Sequence, residues 1–266
     1  MKTNIGIQNE ENFVKCIDNK TYDELNKHLQ YFLHYLFPKI DKTKKFHCFL
    51  TTNYIKPDIC ISLESEMRYV SLKYGQSDIF HNENILTFID FLRVNGISEE
   101  SIKTYLLFHY GDGTIDGTGK NRFTSVELRF HYRDELRKMN EEFNKNKEFV
   151  KKFVDRAVFQ GVNSLANCAE YLYHGDPEYG VFLSRFQLMR RVETKNYGFM
   201  TECVHIGPLV LRPHARYSNK PIRNDESRHI VEVSYPKIVQ EIMFVFSKFP
   251  FDENIDWNVG RHYQKK

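Results

Sequence analysis

Hydrophobic and polar positions alternate in a short stretch in the first third of the chain. Tyr69–Tyr74 alternates with a period of two, and it follows the apolar Ile59–Leu63 and the turn-like Glu64–Glu66. This period is typical of β-strands that bury one face, so the pattern predicts a β-hairpin. In the second strand Ser71 and Lys73 fall on one face, opposite Val70, Leu72 and Tyr74.

Other stretches have a helical period. Tyr22–Phe37 carries an apolar stripe and predicts a helix that ends before Pro38. Asn82–Val94 carries a second stripe and predicts a helix that ends at Asn95-Gly96. Further helices are predicted over Val126–Phe143, Lys147–Phe159, Asn163–Tyr173 and Lys237–Phe249, and Ser98 caps one more. Strands are predicted over Lys44–Tyr54, Lys103–Tyr110, Val181–Val192, Val204–Arg212 and His229–Ser234.

This order of elements predicts an α/β or α+β fold with a mixed β-sheet core flanked by helices and a β-rich basic C-terminal region. Residues 1–122 would form the core of helix, hairpin and helix. Residues 123–266 would add the helical pair and the basic β region, packed with the core as one domain.

Composition narrows the class of protein. The chain has 266 residues, of which 41% are hydrophobic and 15% aromatic, enough to build a core and unlike a disordered chain. No apolar run approaches the roughly 20 residues of a membrane span, and the first residues have no apolar segment of a secretory signal. The five cysteines are widely spaced, with no C-x-x-C pair, and so predict free thiols in a cytoplasmic protein.

Basic charge is concentrated late in the chain. Residues 181–228 hold nine Lys and Arg against four Asp and Glu, although the whole chain has a net charge of only +3. Most of these cations are arginines, which suit bidentate recognition of phosphate and guanine. We expect Arg190, Arg191, Arg212 and Arg216 to contact DNA, and ordinary surface arginines paired with acids are the alternative.

The hairpin carries the candidate chemistry. Asp58 follows Pro57 at the start of the first strand, and Lys73 lies near the end of the second. A carboxylate and a lysine on one sheet face can hold a divalent metal ion and a phosphate together, which is what metal-assisted phosphodiester cleavage requires. The alternatives are a turn aspartate after proline and an edge-strand lysine.

Pro57-Asp58 with Ser71-x-Lys73 resembles the PD-(D/E)XK nuclease superfamily, which includes many type II restriction endonucleases. The family pattern has an acid where Ser71 stands. The resemblance implies that this acid has moved to the following helix, where Glu83 is the candidate. Asp58 and Glu83 would then bind Mg²⁺, Lys73 would contact the scissile phosphate or help to activate water, and Ser71 would hold the place of the acid by hydrogen bonding.

The resemblance therefore implies a Mg²⁺-dependent type II restriction endonuclease that hydrolyses double-stranded DNA at a specific site, acting as a homodimer or homotetramer. Three alternatives stay open. One is a repair or mobile-element nuclease of the same fold, and another is a non-catalytic nucleic-acid-binding protein with a degenerate nuclease fold. The third is an enzyme for a small phosphorylated substrate, which the missing Walker pattern disfavours.

Three further features have two interpretations each. Glu24 either complements a helix dipole or joins the metal site, and His81 neighbours the proposed acid Glu83. The glycine-rich Gly111–Gly119 is either a long turn or a mobile loop that closes over bound duplex.

Overall fold

A computed structural model of the protein describes residues 5–51, 55–75, 78–119, 122–162, 168–197, 203–213 and 226–248. The helices are α1 Ile5–Ile17, α2 Lys27–Leu36, α3 Ile85–Val94, α4 Glu99–Tyr110, α5 Ser125–His131, α6 Arg133–Lys145, α7 Lys147–Asp155, α8 Arg185–Thr194 and α9 Ile238–Lys248. The strands are β1 Phe46–Leu50, β2 Ile59–Leu63, β3 Glu66–Lys73, β4 Ile79–Asn84, β5 Tyr171–Gly175, β6 Gly180–Ser184, β7 His205–Ile206, β8 Leu209–Pro213 and β9 Ile230–Ser234. Short 3-10 turns span Tyr22–Glu24 and Glu226–His229, and a π-helical turn, Arg156–Gln160, follows α7.

The chain divides into two compact units, each of which contains one sheet. The first unit comprises Met1–Ser77, Asp155–Arg191 and Lys237–Lys266, and the second comprises Asp78–Val154 and Val192–Pro236. The first sheet has the order β1-β2-β3-β5-β6, with β3 and β5 parallel and the other pairs antiparallel. The second sheet is antiparallel, in the order β4-β9-β8-β7. The predicted fold class, a mixed sheet flanked by helices, is confirmed.

The predicted hairpin forms as β2 and β3. Their antiparallel register pairs Ile59 with Val70 and Leu63 with Glu66. Glu64 takes a left-handed backbone conformation, with a φ of 55°, which closes the tight turn. The alternation therefore predicted both strands and their connection.

The core of the first unit lies between α1, α2 and one face of the first sheet. Phe13 and Ile17 of α1 belong to this core together with Val70 and Leu72 of β3. Tyr173 of β5 completes it, and its ring lies edge-on to Phe13 with the centroids 4.8 Å apart. Helix α1 is thereby fixed against the strands that carry the candidate chemistry.

The second unit has its own aromatic core. Phe88 of α3 is fully buried, and its ring centroid lies 5.0 Å from that of Tyr105 and 5.5 Å from that of Phe153. The apolar stripe predicted for this segment is thus the buried face of helix α3.

The start of that helix was predicted wrongly. Helix α3 begins at Ile85, where the side chain of Asn84 accepts a hydrogen bond from the backbone N–H of Leu86. Residues 79–84 are instead strand β4, which pairs with β9. The pairing partner lies far along the chain, so local periodicity could not reveal it.

The strand predicted over Val181–Val192 is also wrong beyond residue 184. Strand β6 ends at Ser184, and α8 follows. The Ser184 hydroxyl accepts from the Gln187 N–H, and the Gln187 side chain accepts from the Ser184 N–H. This is a capping box, whose S-x-x-Q signature was present in the sequence.

Three other predicted elements differ. Tyr22–Phe37 divides into a 3-10 turn and α2, because Asn26 caps the helix at Leu29. Lys103–Tyr110 belongs to α4 and is not a strand, and Gly111 ends that helix with a φ of 63°. The helix predicted over 163–173 lies partly outside the described residues, and its last residues begin β5.

Both sheets take strands from the two sides of residue 122, since β3 pairs with β5 and β4 with β9. The division into domains at that residue stays a prediction.

Candidate active site

Asp58 is fixed against strand β3 by both its backbone and its side chain. Its N–H donates to the Val70 carbonyl at 2.9 Å. Its Oδ2 accepts from the Ser71 hydroxyl at 3.1 Å and from the Leu72 N–H at 2.5 Å. Ionised acceptors make strong hydrogen bonds of this kind, so the carboxylate is held in one orientation beside the end of β3.

Ser71 and Lys73 flank this contact. Ser71 is fully buried, and its hydroxyl donates to Asp58. Lys73 is half-buried at the last position of β3, two residues further along the same face. The structure thus brings Asp58 and the Ser71–Lys73 segment together. Ser71 supplies a hydrogen bond to the acid.

Glu10 of α1 is a member of this site that the sequence reasoning missed. It is half-buried. Burial, and next the charge of Asp58, raise the pKa of Glu10 from 4.5 to about 7, while Lys73 acts in the opposite direction. The charges of Asp58 and Lys73 therefore both act on this carboxyl group.

A sequence signal for Glu10 existed. Glu10, Phe13 and Ile17 are spaced i, i+3 and i+7, so the acid continues the buried stripe of α1 toward one end of the sheet. The preceding Asn9 is buried and donates its side-chain N–H to the Gly175 carbonyl at 3.0 Å, at the end of β5. This bond fixes the first turns of α1 at the same end of the sheet as Lys73.

Lys56 adds a second cation. Burial, and next the charge of Lys73, lower the pKa of Lys56 from 10.5 to about 7, and Asp58 opposes the shift. Lys56 lies two residues before Asp58, in the approach to β2. The site therefore combines two carboxyl groups with two amino groups.

His174 is the neighbour of Lys73 on the adjacent strand. The parallel register of β3 and β5 pairs these two residues. His174 is 4% exposed, and burial together with the charge of Lys73 lowers its pKa from 6.5 to about 4. Its imidazole is therefore neutral at neutral pH.

The residues present fit a magnesium ion. Among the described residues, no group of three or more His, Cys, Asp or Glu side chains is placed to hold a metal. Mg²⁺, however, keeps several waters and is commonly held by only one or two protein carboxylates. The pKa of Glu10 is raised by burial and, in part, by repulsion from Asp58, and a bound divalent cation would relieve that repulsion.

Glu83 has a different position from the one predicted. It lies within β4 of the second unit, opposite Val231 of β9, and does not begin a helix. It is 4% exposed, and its Oε1 lies 3.4 Å from Nε2 of His81. Asp58, Ser71 and Lys73 belong to the first unit. The role of Glu83 as a metal ligand stays a prediction.

The four predicted DNA-contacting arginines differ in their surroundings. Arg190 is exposed on α8. Arg191, on the same helix, pairs with Glu241 at 2.8 Å and lies 3.9 Å above the ring of Phe244. Arg212 of β8 pairs with Asp78 at 3.2 Å. Arg216 lies outside the described residues. Arg191 and Arg212 thus each have an acidic partner, and Arg190 and Arg212 are both exposed.

The glycine-rich loop Gly111–Gly119 is fixed at its start. Asp112 is buried and forms an ion pair with the buried Arg228. Its Oδ1 accepts from the Thr114 N–H at 2.9 Å, and its Oδ2 accepts from the Gly119 N–H at 3.1 Å. These bonds close the loop on itself. Arg228, one of the nine late cations, is therefore structural.

Glu24 has a local partner. Its Oε2 accepts from the Thr21 N–H at 2.7 Å and from the Thr21 hydroxyl at 2.8 Å. These bonds hold the pKa of Glu24 below its usual value. They support the capping interpretation of this residue.

The chain was compared with solved structures, protein-family models and curated proteins. The chain is similar to restriction endonuclease MspI in a crystal structure with its cognate DNA, at 14% identity and a TM-score of 0.47, over 86% of this chain and 88% of that one. No protein-family model and no curated protein matches the chain. No helix among the described residues is long and apolar enough to cross a membrane.

Proposed function

We propose that the protein is a Mg²⁺-dependent endonuclease that hydrolyses phosphodiester bonds in double-stranded DNA, of the type II restriction class. One observation carries the proposal. The Asp58 carboxylate is hydrogen-bonded to Ser71 and Leu72 immediately before Lys73, and Glu10 is electrostatically coupled to both Asp58 and Lys73.

Each residue has a role in this chemistry. Asp58 and Glu10 would hold Mg²⁺, which when bound supplies Lewis-acid stabilisation of the charge that develops on the phosphate. Ser71 and the Leu72 N–H orient Asp58. Lys73 binds the scissile phosphate and stabilises the attacking water by its charge. Glu83 is retained as the ligand predicted from the sequence, and Glu10 is preferred because it belongs to the same unit as Asp58.

DNA contact is proposed for the basic C-terminal third. Arg190 is exposed on α8, and we propose that it contacts phosphate or base edges. Arg191 and Arg212 would have to exchange their carboxylate partners for DNA, and Arg216 remains a sequence prediction. Symmetric recognition sites favour symmetric proteins, so a homodimer or homotetramer acting in the cytoplasm is part of the proposal.

The test is digestion of unmethylated phage DNA with and without Mg²⁺. Discrete Mg²⁺-dependent bands are expected from the wild type and none from Asp58→Ala or Lys73→Ala. Asp41→Ala and Lys42→Ala remove exposed charges between α2 and β1 and serve as matched controls that keep activity. Unchanged cleavage by either site variant, with the controls also active, would refute the assignment.

A second pair of variants separates the two candidate ligands. If Glu10 holds the metal, Glu10→Gln should abolish cleavage at a Mg²⁺ concentration that saturates the wild type, and Glu83→Gln should retain it once folding is verified by circular dichroism. The reverse result would return the role to Glu83.

The alternative is a DNA-binding protein with an inactive nuclease fold. Ser71 favours it, because a serine stands where the family pattern has an acid, and it donates to Asp58 instead of adding a negative charge. Gel-shift binding of duplex DNA without cleavage at any Mg²⁺ or Mn²⁺ concentration would support this alternative.

A further inference from the structure

Asn9 of helix α1 immediately precedes Glu10 and is bonded to the first sheet. It is 4% exposed, and its Nδ2 donates to the Gly175 carbonyl at 3.0 Å. Gly175 is the last residue of β5, and Lys73 is the last residue of β3, which pairs with β5 in parallel. The bond therefore attaches α1 to the end of the sheet at which Lys73 lies.

The acceptor of this bond is held by a backbone conformation that favours glycine. Gly175 has a φ of 141°, and a Cβ atom at this position would overlap the Tyr179 carbonyl oxygen. Gly175 also pairs with Gly180 at the end of the β5–β6 ladder. The carbonyl that Asn9 contacts is thus part of a rigid turn between two paired strands.

Glu10 lies between two contacts of α1 with β5. Asn9 contacts the last residue of the strand, and Phe13, one helical turn later, packs edge-on against Tyr173 with the ring centroids 4.8 Å apart. Residues three and four apart lie on one face of a helix, so Asn9 and Glu10 both share a face with Phe13. Glu10 is accordingly half-buried at the end of the sheet.

The first turn of α1 contributes little to fixing this end of the helix. It has the sequence Ile5-Gly6-Ile7-Gln8, with no acidic residue to complement the helix dipole. It also contains a glycine, which costs about 1 kcal/mol relative to alanine within a helix. Ile7 and Gln8 are exposed. The buried, bonded Asn9 therefore restrains the helix at the point where Glu10 follows.

We infer that Asn9 is a positioning residue for Glu10, and that its bond to Gly175 holds the Glu10 carboxylate where it can share a metal ion with Asp58. This inference rests on the proposed function, in which Asp58 and Glu10 hold Mg²⁺. Removing a group that orients a metal ligand commonly lowers metal affinity by roughly 10- to 100-fold. Asn9 would act in this way through the backbone of α1.

The test measures metal binding by the whole chain without DNA, and cleavage separately. Mn²⁺ accepts the same oxygen ligands as Mg²⁺, and its free concentration is followed by electron paramagnetic resonance. Asn9→Leu branches at the same atom as asparagine but has no amide, and Asn9→Ala is the second variant if the first does not fold. Asn26→Ala is the matched control, because Nδ2 of Asn26 on the neighbouring helix α2 donates to the Pro177 carbonyl of the same turn at 3.0 Å.

We expect both Asn9 variants to bind Mn²⁺ roughly 10- to 100-fold more weakly and to need correspondingly more Mg²⁺ for half-maximal cleavage. At saturating Mg²⁺ their kcat should return nearly to the wild-type value. Asn26→Ala should keep the wild-type Mn²⁺ affinity, although it also loses the bond that caps α2. In Glu10→Gln, the further change Asn9→Leu should cause no additional loss of Mn²⁺ affinity, because Asn9 acts through Glu10.

Wild-type Mn²⁺ affinity in an Asn9 variant that circular dichroism shows to be folded would overturn the inference. An equal loss in Asn26→Ala, or additive losses in the double variant, would overturn it as well. A wild type that neither binds Mn²⁺ nor cleaves DNA would remove the proposed function together with the inference. Unchanged Asn9 variants of an active wild type would remove the inference alone.

Discussion

Glu10→Gln should make the metal-free protein more stable and at the same time inactive. In the folded chain the pKa of Glu10 is raised to about 7 by burial and by Asp58, against 4.5 in an unfolded chain. Between these two pH values the folded protein keeps a proton that the unfolded chain has lost. Stability therefore falls as pH rises through this window. Glutamine has no proton to lose, so the variant escapes this loss.

The size of the effect follows from the shift. A shift from 4.5 to about 7 would correspond to about 3 kcal/mol of unfolding free energy for a fully buried group, and solvent screening of the half-buried Glu10 reduces this to about 1–2 kcal/mol. Glu10→Gln should therefore gain about 1–2 kcal/mol on the wild type between about pH 4 and about pH 8. Mg²⁺ should reverse this order at the higher pH, because it stabilises only a protein that has both carboxylates.

The assay is urea denaturation followed by far-UV circular dichroism, at both pH values, in EDTA and then in Mg²⁺. Glu11→Gln is the control, since Glu11 is the next residue of α1 and is exposed. A stability difference between Glu10→Gln and the wild type that does not change with pH would refute the reasoning. So would the same pH-dependent gain in Glu11→Gln.

Three further perturbations test the two units. Asp112→Asn would remove the negative charge that pairs with the buried Arg228 guanidinium and should cost about 3–5 kcal/mol in urea denaturation. A cost below about 1 kcal/mol would show that the pair is not desolvated. Phe88→Ala should cost about 3–5 kcal/mol, because Phe88 is fully buried, whereas Leu86→Ala on the same helix, where Leu86 is 70% exposed, should cost little. Burial lowers the pKa of His28 from 6.5 to about 4, so the unfolded chain binds the proton first and stability should fall by about 3 kcal/mol as pH drops through this range. His28→Gln should lack this loss, and an equal acid sensitivity in wild type and variant would contradict it.

The parts of the site that were predictable are the local ones. Asp58, Ser71 and Lys73 lie in one hairpin, where a period of two fixes the face of every residue. The turn at Glu64 needed no distant partner. Their hydrogen-bonded arrangement could be anticipated because strand pairing with a short connection leaves few registers open.

The parts that were missed depend on distant segments. Glu10 is brought to the hairpin by α1, and His174 by β5, which pairs in parallel with β3 about 100 residues later. The periodicity within α1 or β5 does not indicate which distant segment each of them will contact. The apolar run 181–183 predicts a strand that continues through Arg190 and Arg191. The strand ends instead at Ser184, where Ser184 and Gln187 cap the helix that carries both arginines.

The parallel pairing of β3 and β5 also sets when the first sheet can be completed. The ribosome adds roughly 5–20 residues per second, and β5 emerges only after all of α3 to α7 has been made. Until then the edge of β3 that will pair with β5 is open. An open strand edge can pair with a strand of another chain. The interval between the synthesis of β3 and that of β5 is therefore when the growing chain is most exposed to mispairing at this edge.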